Sequence, residues 1–350
     1  MLKNRPTRSP GTFALKFVRH SALLVASSLA WACAHQAAMT TAGPGLADII
    51  ANPSDTHKAD TGDDRPIEVA SLLGVGLRRP FLDSATAARL NRNLTDVADS
   101  LRINPSSADA LVWYGRRLGY LGRYREAIDT FAAGIKLYPS DPRFYRHRGQ
   151  RYLTIRRPAL AIQDFQKAAM LMRDKADEIE PDGAPNARNT PLTTLHFNVW
   201  YHLAVALYVR GDYGNTLMAL DSASHVSVNA DTRVATTYWR YLTLRQQAKN
   251  AEAANLLSIV SENLDVIENA SYLKALQMFA GQGTADALVP KGAAIALNAS
   301  DAVTAYAASM SYFFAGQRTL ARDVWKRMMG TDAWPSFGVL AAEAELERAR

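Results

Sequence analysis

The sequence predicts an all-α chain, a solenoid of stacked antiparallel helix hairpins. From Ser84 onward it reads as helix after helix, with no convincing strand alternation. A pattern of large, small and aromatic residues also returns after 34 residues. Leu111, Tyr114, Gly115 and Leu118, then Ala127, Phe131 and Pro139, become Tyr145, Arg148, Gly149 and Tyr152, then Ala161 and Phe165. It returns as Trp200, Leu203, Ala204 and Leu207, then Thr216 and Leu220, and late in the chain as Ala305, Ser309 and Tyr312, then Gly316, Ala321 and Trp325. Small residues let two helices approach, and large ones fill the gaps between successive hairpins. A lone hairpin cannot cover its own apolar face, so at least about three must stack.

This pattern resembles the tetratricopeptide repeat (TPR), whose signature recurs at the same spacing. Two clear repeats are expected over 107–175, a third over 194–230, degenerate helical repeats over 231–299, and a late repeat over 300–330. A helical lead-in over 66–106 precedes them, and 331–350 reads as a closing helix with a charged outer side. Arg156 and Gly211 occupy equivalent turn positions but stand 55 residues apart, so 176–193 is an insertion, expected as an acidic helix extension and a Pro/Asn loop.

Ahead of the repeats the chain changes character. Lys3, Arg5, Arg8, Lys16 and Arg19 precede the apolar run "SALLVASSLAWA", and the first acid is Asp48. Such a run is too short to span a bilayer, which needs about 20 apolar residues, so 1–33 reads as an export signal. Cys33 follows the Ala30-x-Ala32 pair and is the chain's single cysteine, which excludes an internal disulfide. "LAWAC" resembles a lipoprotein box with Leu29 one place too far away, so Cys33 is either a lipidated first residue or a thiol in a discarded signal. Residues 34–65 are polar and read as a flexible tether. Without the five basic residues of the leader, the formal charge of +7 falls to +2, which argues against a nucleic-acid footprint.

Basicity is local: 107–158 holds eleven Lys or Arg and four acids. In the family the first helix of each repeat lines a concave groove. That resemblance places Val112, Trp113, Arg116 and Tyr120 there, then Arg143, Arg146, His147 and Gln150, then Asn198, Tyr201, His202, Val205 and Tyr208. Arg148 and Arg151 are expected to point elsewhere. Guanidinium forks suit carboxylates or phosphates, so the candidate groove of Trp113, Arg116, Arg143, Arg146, His147, Gln150, Tyr201 and His202 fits an acidic or C-terminal peptide segment, with Trp113 and Tyr201 as apolar anchors. Alternatively, the arginines solvate a helix face or pair with Asp129, Asp141 and Asp164. The Lys/Asn/Arg carboxylate clamp of some family members is absent, since Val112, Arg116, His147, Asn198 and His202 stand at its positions. His147 and His202 share a repeat position but lack a third ligand, a weak basis for metal.

No motif calls for a cofactor. "GVG" at 74–76 lacks the remaining glycine of a nucleotide fingerprint. Ser271 and Lys274 match the S-x-x-K of penicillin-binding enzymes, but "SEN" at 261–263 and "KGA" at 291–293 do not supply the companion motifs. The layout is similar to that of Gram-negative envelope lipoproteins that recruit murein hydrolases or periplasmic proteases. It implies a non-catalytic adaptor for other proteins or peptides, in the periplasm or on the periplasmic face of the outer membrane, touching membrane only through an N-terminal lipid. A component of an outer-membrane assembly or secretion complex is the alternative, and a peptidoglycan-active serine enzyme a remote one.

Overall fold

The computed structural model describes residues 64–289, 297–329 and 331–350. The export signal, Cys33 and the tether up to residue 63 lie outside the described residues, as do residues 291–293. An antiparallel hairpin comes first, β1 (Ile67–Ala70) and β2 (Gly76–Arg78). The front of the expected helical lead-in is thus extended chain: Glu68 and Val69 are both buried, and Gly74 takes the left-handed turn at φ 85°. Helix α1 (Ser84–Ile103) follows, its first turn capped by the Asp83 carboxylate accepting from the Thr86 amide.

Six helix pairs come next: α2 (Ala108–Tyr120) with α3 (Tyr124–Leu137), α4 (Pro142–Thr154) with α5 (Pro158–Met172), α6 (Leu195–Arg210) with α7 (Tyr213–His225), α8 (Ala230–Gln246) with α9 (Asn250–Leu256), α10 (Ala270–Phe279) with α11 (Ala285–Leu288), and α12 (Ala299–Phe314) with α13 (Arg318–Met329). A 3₁₀ turn, Leu257–Ser261, extends α9. All six turns are built alike. Gly122, Arg156, Gly211, Ala248, Gly281 and Gly316 each hold a positive φ, at intervals of 34, 55, 37, 33 and 35 residues. The next residue's amide donates to the carbonyl five positions back in every case: Arg123 to Leu118, Arg157 to Tyr152, Asp212 to Leu207, Lys249 to Leu244, Gln282 to Gln277 and Gln317 to Tyr312. This is the Schellman ending of a helix, and it reverses the chain into an antiparallel partner.

Close packing follows from the small residues. A β-carbon on Gly115 would sit 2.4 Å from the Phe131 ring, and one on Gly134 would sit 2.2 Å from Phe144. The first helices α2, α4, α6, α8, α10 and α12 each touch the next, forming one layer. The core divides accordingly. α1 to α3 share a cluster around Leu101, Leu111, Leu118 and Phe131, while a larger one runs from Leu153 and Phe165 through α6 and α8 to α12.

Helix α14 (Phe337–Arg348) departs from the expected charged cap. It packs on α6, α12 and α13, and Gly338 to Leu346 are all buried. Gly338 lets it cross α12 at backbone contact, since a β-carbon there would lie 2.2 Å from the Ala302 carbonyl oxygen. Its acids are neutralised inside. Glu343, 1% exposed, accepts from Arg156 Nε and Nη2 at 3.1 and 2.7 Å and from the Leu72 amide. Glu345 accepts from Gln246 and the Tyr306 hydroxyl and pairs with Arg348. The end of the described chain is therefore an interior element that bridges early and late hairpins.

Among the described residues no helix is long and apolar enough to cross a membrane.

Candidate partner-binding face

Helix α4 carries the arginine-rich stretch because it crosses between α2 and α6 in the first-helix layer. Asp141 caps it, accepting from the Arg143 amide at 2.9 Å, and Pro142 occupies its first turn, where no amide is needed. Its arginines then divide by helical phase. Arg143 is spoken for by Asp141 and Asp109, at 2.7 and 2.6 Å. Arg148 turns away and forks onto Asp164 at 2.7 and 2.8 Å, lying over the rings of Tyr145 and Tyr152. Arg146 and Arg151 face the layer's open side. The expectation for Arg151 is thereby corrected: it stands one turn beyond His147, a spacing that puts both on one face.

The insertion does not extend α5. Residues 173–194 form an extended strap closed at its neck by an antiparallel bridge, with Glu180 N donating to Thr193 O at 3.0 Å and Leu195 N to Glu178 O at 2.9 Å. Pro181, Gly183 and Pro185 disfavour helix there, and the basic wall attracts its acids. Arg116 Nη2 donates to Pro181 O at 2.7 Å, Arg117 Nη1 to Gly183 O at 3.0 Å, and Asn198 to Thr193 Oγ1 at 2.9 Å. Glu180 Oε2 lies 2.9 Å from Arg146 Nε, yet neither atom has an aligned hydrogen bond. The strap's far end is tied by Arg188 to Asp265 and by Asn186 to Glu268.

Two cavities flank the strap. One of about 220 Å³ is lined by Arg116, Arg146, His147, Arg151, Glu180 and His202. The other, about 260 Å³, lies between Trp113, Arg143, Glu178 and Ile179. Trp113 meets two guanidiniums, Arg116 at 4.2 Å and Arg117 at 4.9 Å from its ring centre, so the protein's own cations cover part of the ring.

Electrostatics in the first cavity are uneven. Burial pulls Arg146 and Arg151 below the ordinary arginine range, with Glu180 opposing the shift at Arg146. Arg151 lies 5.5 Å over the Tyr124 ring, and among the described residues no hydrogen-bond acceptor meets its side chain. Burial, with Arg146 next in effect, holds His147 and His202 far below the usual histidine range, so both are neutral. Their hydrogen bonds agree. Arg146 donates to His147 Nδ1 at 3.1 Å, while His202 Nδ1 donates to Asn198 O at 2.6 Å. His147 also stacks on Phe131 with ring centres 5.5 Å apart. Gln150 accepts from Arg146 at 2.6 Å and so orients the wall.

Tyr201 is not an accessible anchor. It lies under Phe337 of α14, its hydroxyl accepting from Trp239 Nε1 at 2.9 Å and bonded to the Tyr272 hydroxyl at 2.9 Å. Phe337 also meets the His202 ring edge-on at 5.3 Å. The expected continuous groove is thus filled twice, by the strap along α2 and α4 and by α14 along α6. What faces solvent between them is Arg116, Arg151, Gln150 and the rim of Trp113.

Elsewhere, Ser271 and Lys274 sit on α10, with no hydrogen bond between them. Among the described residues no three potential metal ligands cluster.

No family model and no curated protein matches the chain. Among solved structures, YrrB, a TPR protein with an unusual peptide-binding site, is similar over 66% of this chain and 89% of its own, at 14% identity and a TM-score of 0.39. The Naa15/Naa10 complex bound to HypK-THB is similar over 70% of this chain and 36% of that one, at 13% identity and a TM-score of 0.33. Likeness at this level leaves the architecture to be assigned from the six hairpins themselves, which make this an all-α solenoid of tetratricopeptide type.

Proposed function

We propose that this protein is a non-catalytic scaffold of the bacterial cell envelope that holds acidic segments of partner proteins on the basic face of α2 and α4. The observation that carries the proposal is the convergence of Arg116, Arg146 and Arg151 on one cavity, lined also by Asp182 and Glu268, in which the Glu180 carboxylate already rests 2.9 Å from Arg146. Arg146, whose Nε is buried without a hydrogen bond, and Arg151, with no acceptor among the described residues, favour a carboxylate, because the lowered dielectric strengthens the pairing. The open rim of Trp113 and the Tyr120 ring supply apolar surface beside them. In the proposal, the basic leader exports the chain, Cys33 carries a lipid, and the polar tether lets the hairpins reach their partners from the outer membrane.

The test is in-cell photocrosslinking with a benzophenone amino acid in place of Trp113, followed by peptide sequencing of the adducts. Expected are adducts to envelope proteins at Asp- or Glu-rich segments, lost in Arg151→Gln. Adducts without acidic character, or unaffected by Arg151→Gln, refute the binding proposal. Intact mass of the mature protein tests the lipid at Cys33 separately, since an unmodified thiol or a chain beginning beyond residue 33 rules it out.

A further inference from the structure

The strap poses its own question: a chain that builds a basic wall then lays one of its own acidic segments across it. Its neck is closed by only two backbone hydrogen bonds, Glu180 N to Thr193 O and Leu195 N to Glu178 O, so the segment that carries Glu180 can lift by opening them, without unwinding α5 or α6. Its outer side faces water. Ile179 is 64% exposed, and Glu178, Pro181 and Asp182 are exposed as well. No large apolar side chain of residues 180–184 is sunk into the wall. What holds the strap there is polar: two carbonyls on Arg116 and Arg117, and one carboxylate on Arg146. The ties at its far end are surface pairs, Arg188 and Asp265 being 54% and 72% exposed, and such pairs add little.

The fit is also incomplete. Arg146 Nε and Glu180 Oε2 are in contact but misaligned, and both lack a hydrogen bond although buried. Arg151, in the same cavity, meets solvent rather than an acceptor of the described residues. A purely structural brace would be expected to satisfy the buried groups it covers, because leaving them unmet is costly. A second carboxylate reaching Arg151 would satisfy what the strap does not.

We infer that residues 178–183 are a built-in competitor for this wall, occupying it as a partner's acidic segment does and yielding to a segment that brings carboxylates to both Arg146 and Arg151. The inference rests on the proposed binding face and adds its regulation: affinity is set by displacement of the strap, so weakly acidic segments are excluded and doubly acidic ones admitted.

Gly183 provides the means of testing it. A β-carbon there would lie 2.1 Å from the Tyr120 hydroxyl, so Gly183→Ala unseats the strap from the Tyr120 ring while leaving the three wall arginines unchanged. The probe is a fluorescent peptide copying residues 176–184, ADEIEPDGA, titrated by anisotropy into the full chain. Gly183→Ala should bind it at least tenfold tighter than wild type, and adding Arg151→Gln should remove most of that gain. In wild type, excess peptide should speed hydrogen exchange of the Glu180 amide. Equal affinity for both proteins, with that amide still protected, overturns the competitor and leaves the binding face standing. No binding to Gly183→Ala, while its Glu180 amide exchanges freely, overturns both. Binding indifferent to Arg151→Gln also overturns both, because the peptide is then held elsewhere. Should Gly183→Ala lower the helical melt, Glu180→Gln removes the strap's carboxylate from Arg146 instead, and the same outcomes apply.

Discussion

Arg156 sits where five of the six hairpin turns place Gly or Ala, at φ 60°, and holding a side chain there costs about 1–2 kcal/mol. Substituting glycine should relieve that strain, so a purely local account expects Arg156→Gly to stabilise. The surroundings say otherwise. The guanidinium makes two bonds to Glu343, one to Trp334 O at 2.9 Å and one to Thr154 O at 2.7 Å, and it lies 5.0 Å from the Trp334 ring centre. Both charged side chains are almost fully buried, at 2% and 1% exposure. Removing one partner of such a pair costs about 3–5 kcal/mol, because the other charge is left uncompensated. Net destabilisation of roughly 2–3 kcal/mol is expected for Arg156→Gly, and about 1 kcal/mol more for Arg156→Ala, which keeps the strain. Urea unfolding followed by helical circular dichroism measures both. Adding Glu343→Gln to Arg156→Gly should recover part of the loss, because the stranded charge is gone. If Arg156→Gly matches or exceeds wild type, the pair is not what holds α14, and the backbone strain decides.

Three further outcomes are expected. His147 and His202 are held neutral in the fold, so the unfolded chain takes their protons first; stability is full above the ordinary value of 6.5 and falls below it, by roughly 2–3 kcal/mol between pH 7.5 and 5.5 for the pair. That slope should shrink by about half in His147→Gln, measured by urea midpoints across pH. Gly338→Ala should cost about 3 kcal/mol, since its β-carbon meets the backbone of α12 rather than a yielding side chain, and a melting temperature within a degree of wild type would contradict it. Asp231 is 1% exposed and its carboxylate accepts from the amides of Ile267, Glu268 and Asn269. Asp231→Ala should therefore cost roughly 3 kcal/mol and speed exchange at those three amides before the helices melt.

The hairpins were legible because their determinants are local and periodic. Gly115 beneath Phe131 and Gly149 beneath Phe165 repeat at the spacing that the structure reads back as a repeated turn. Arg148 and Arg143 were legible as members of ion pairs, since Asp164 and Asp141 lie within one hairpin of them. Arg151 was misjudged although its spacing from His147 placed both on one face. Nothing periodic marked Glu180, whose position against Arg146 is set by the fold of the insertion. Burial of α14 was hidden for the opposite reason. "AEAELERAR" has the composition of a solvated helix, and partners distant in sequence, Arg156 and Leu72 for Glu343 and Gln246 and Tyr306 for Glu345, turn two of its acids into interior groups. Tyr201, read as an anchor for a ligand, was taken by Phe337 from the same helix.

That placement of α14 bears on when the protein can finish folding. In an open array each hairpin rests on its predecessor and can settle in order as the chain is made. Here Arg156, on the second hairpin, waits for Glu343, and the carbonyl of Val209 on the third waits for Arg348 at 2.8 Å. Until residues 337–348 arrive, Arg156 has no carboxylate partner and keeps only its bond to Thr154 O within its own hairpin, and Tyr201 and His202 lack the cover of Phe337. The early hairpins must persist in that unfinished state through the synthesis of nearly two hundred more residues, so the interval before α14 docks is when they are most exposed to misassembly and proteolysis.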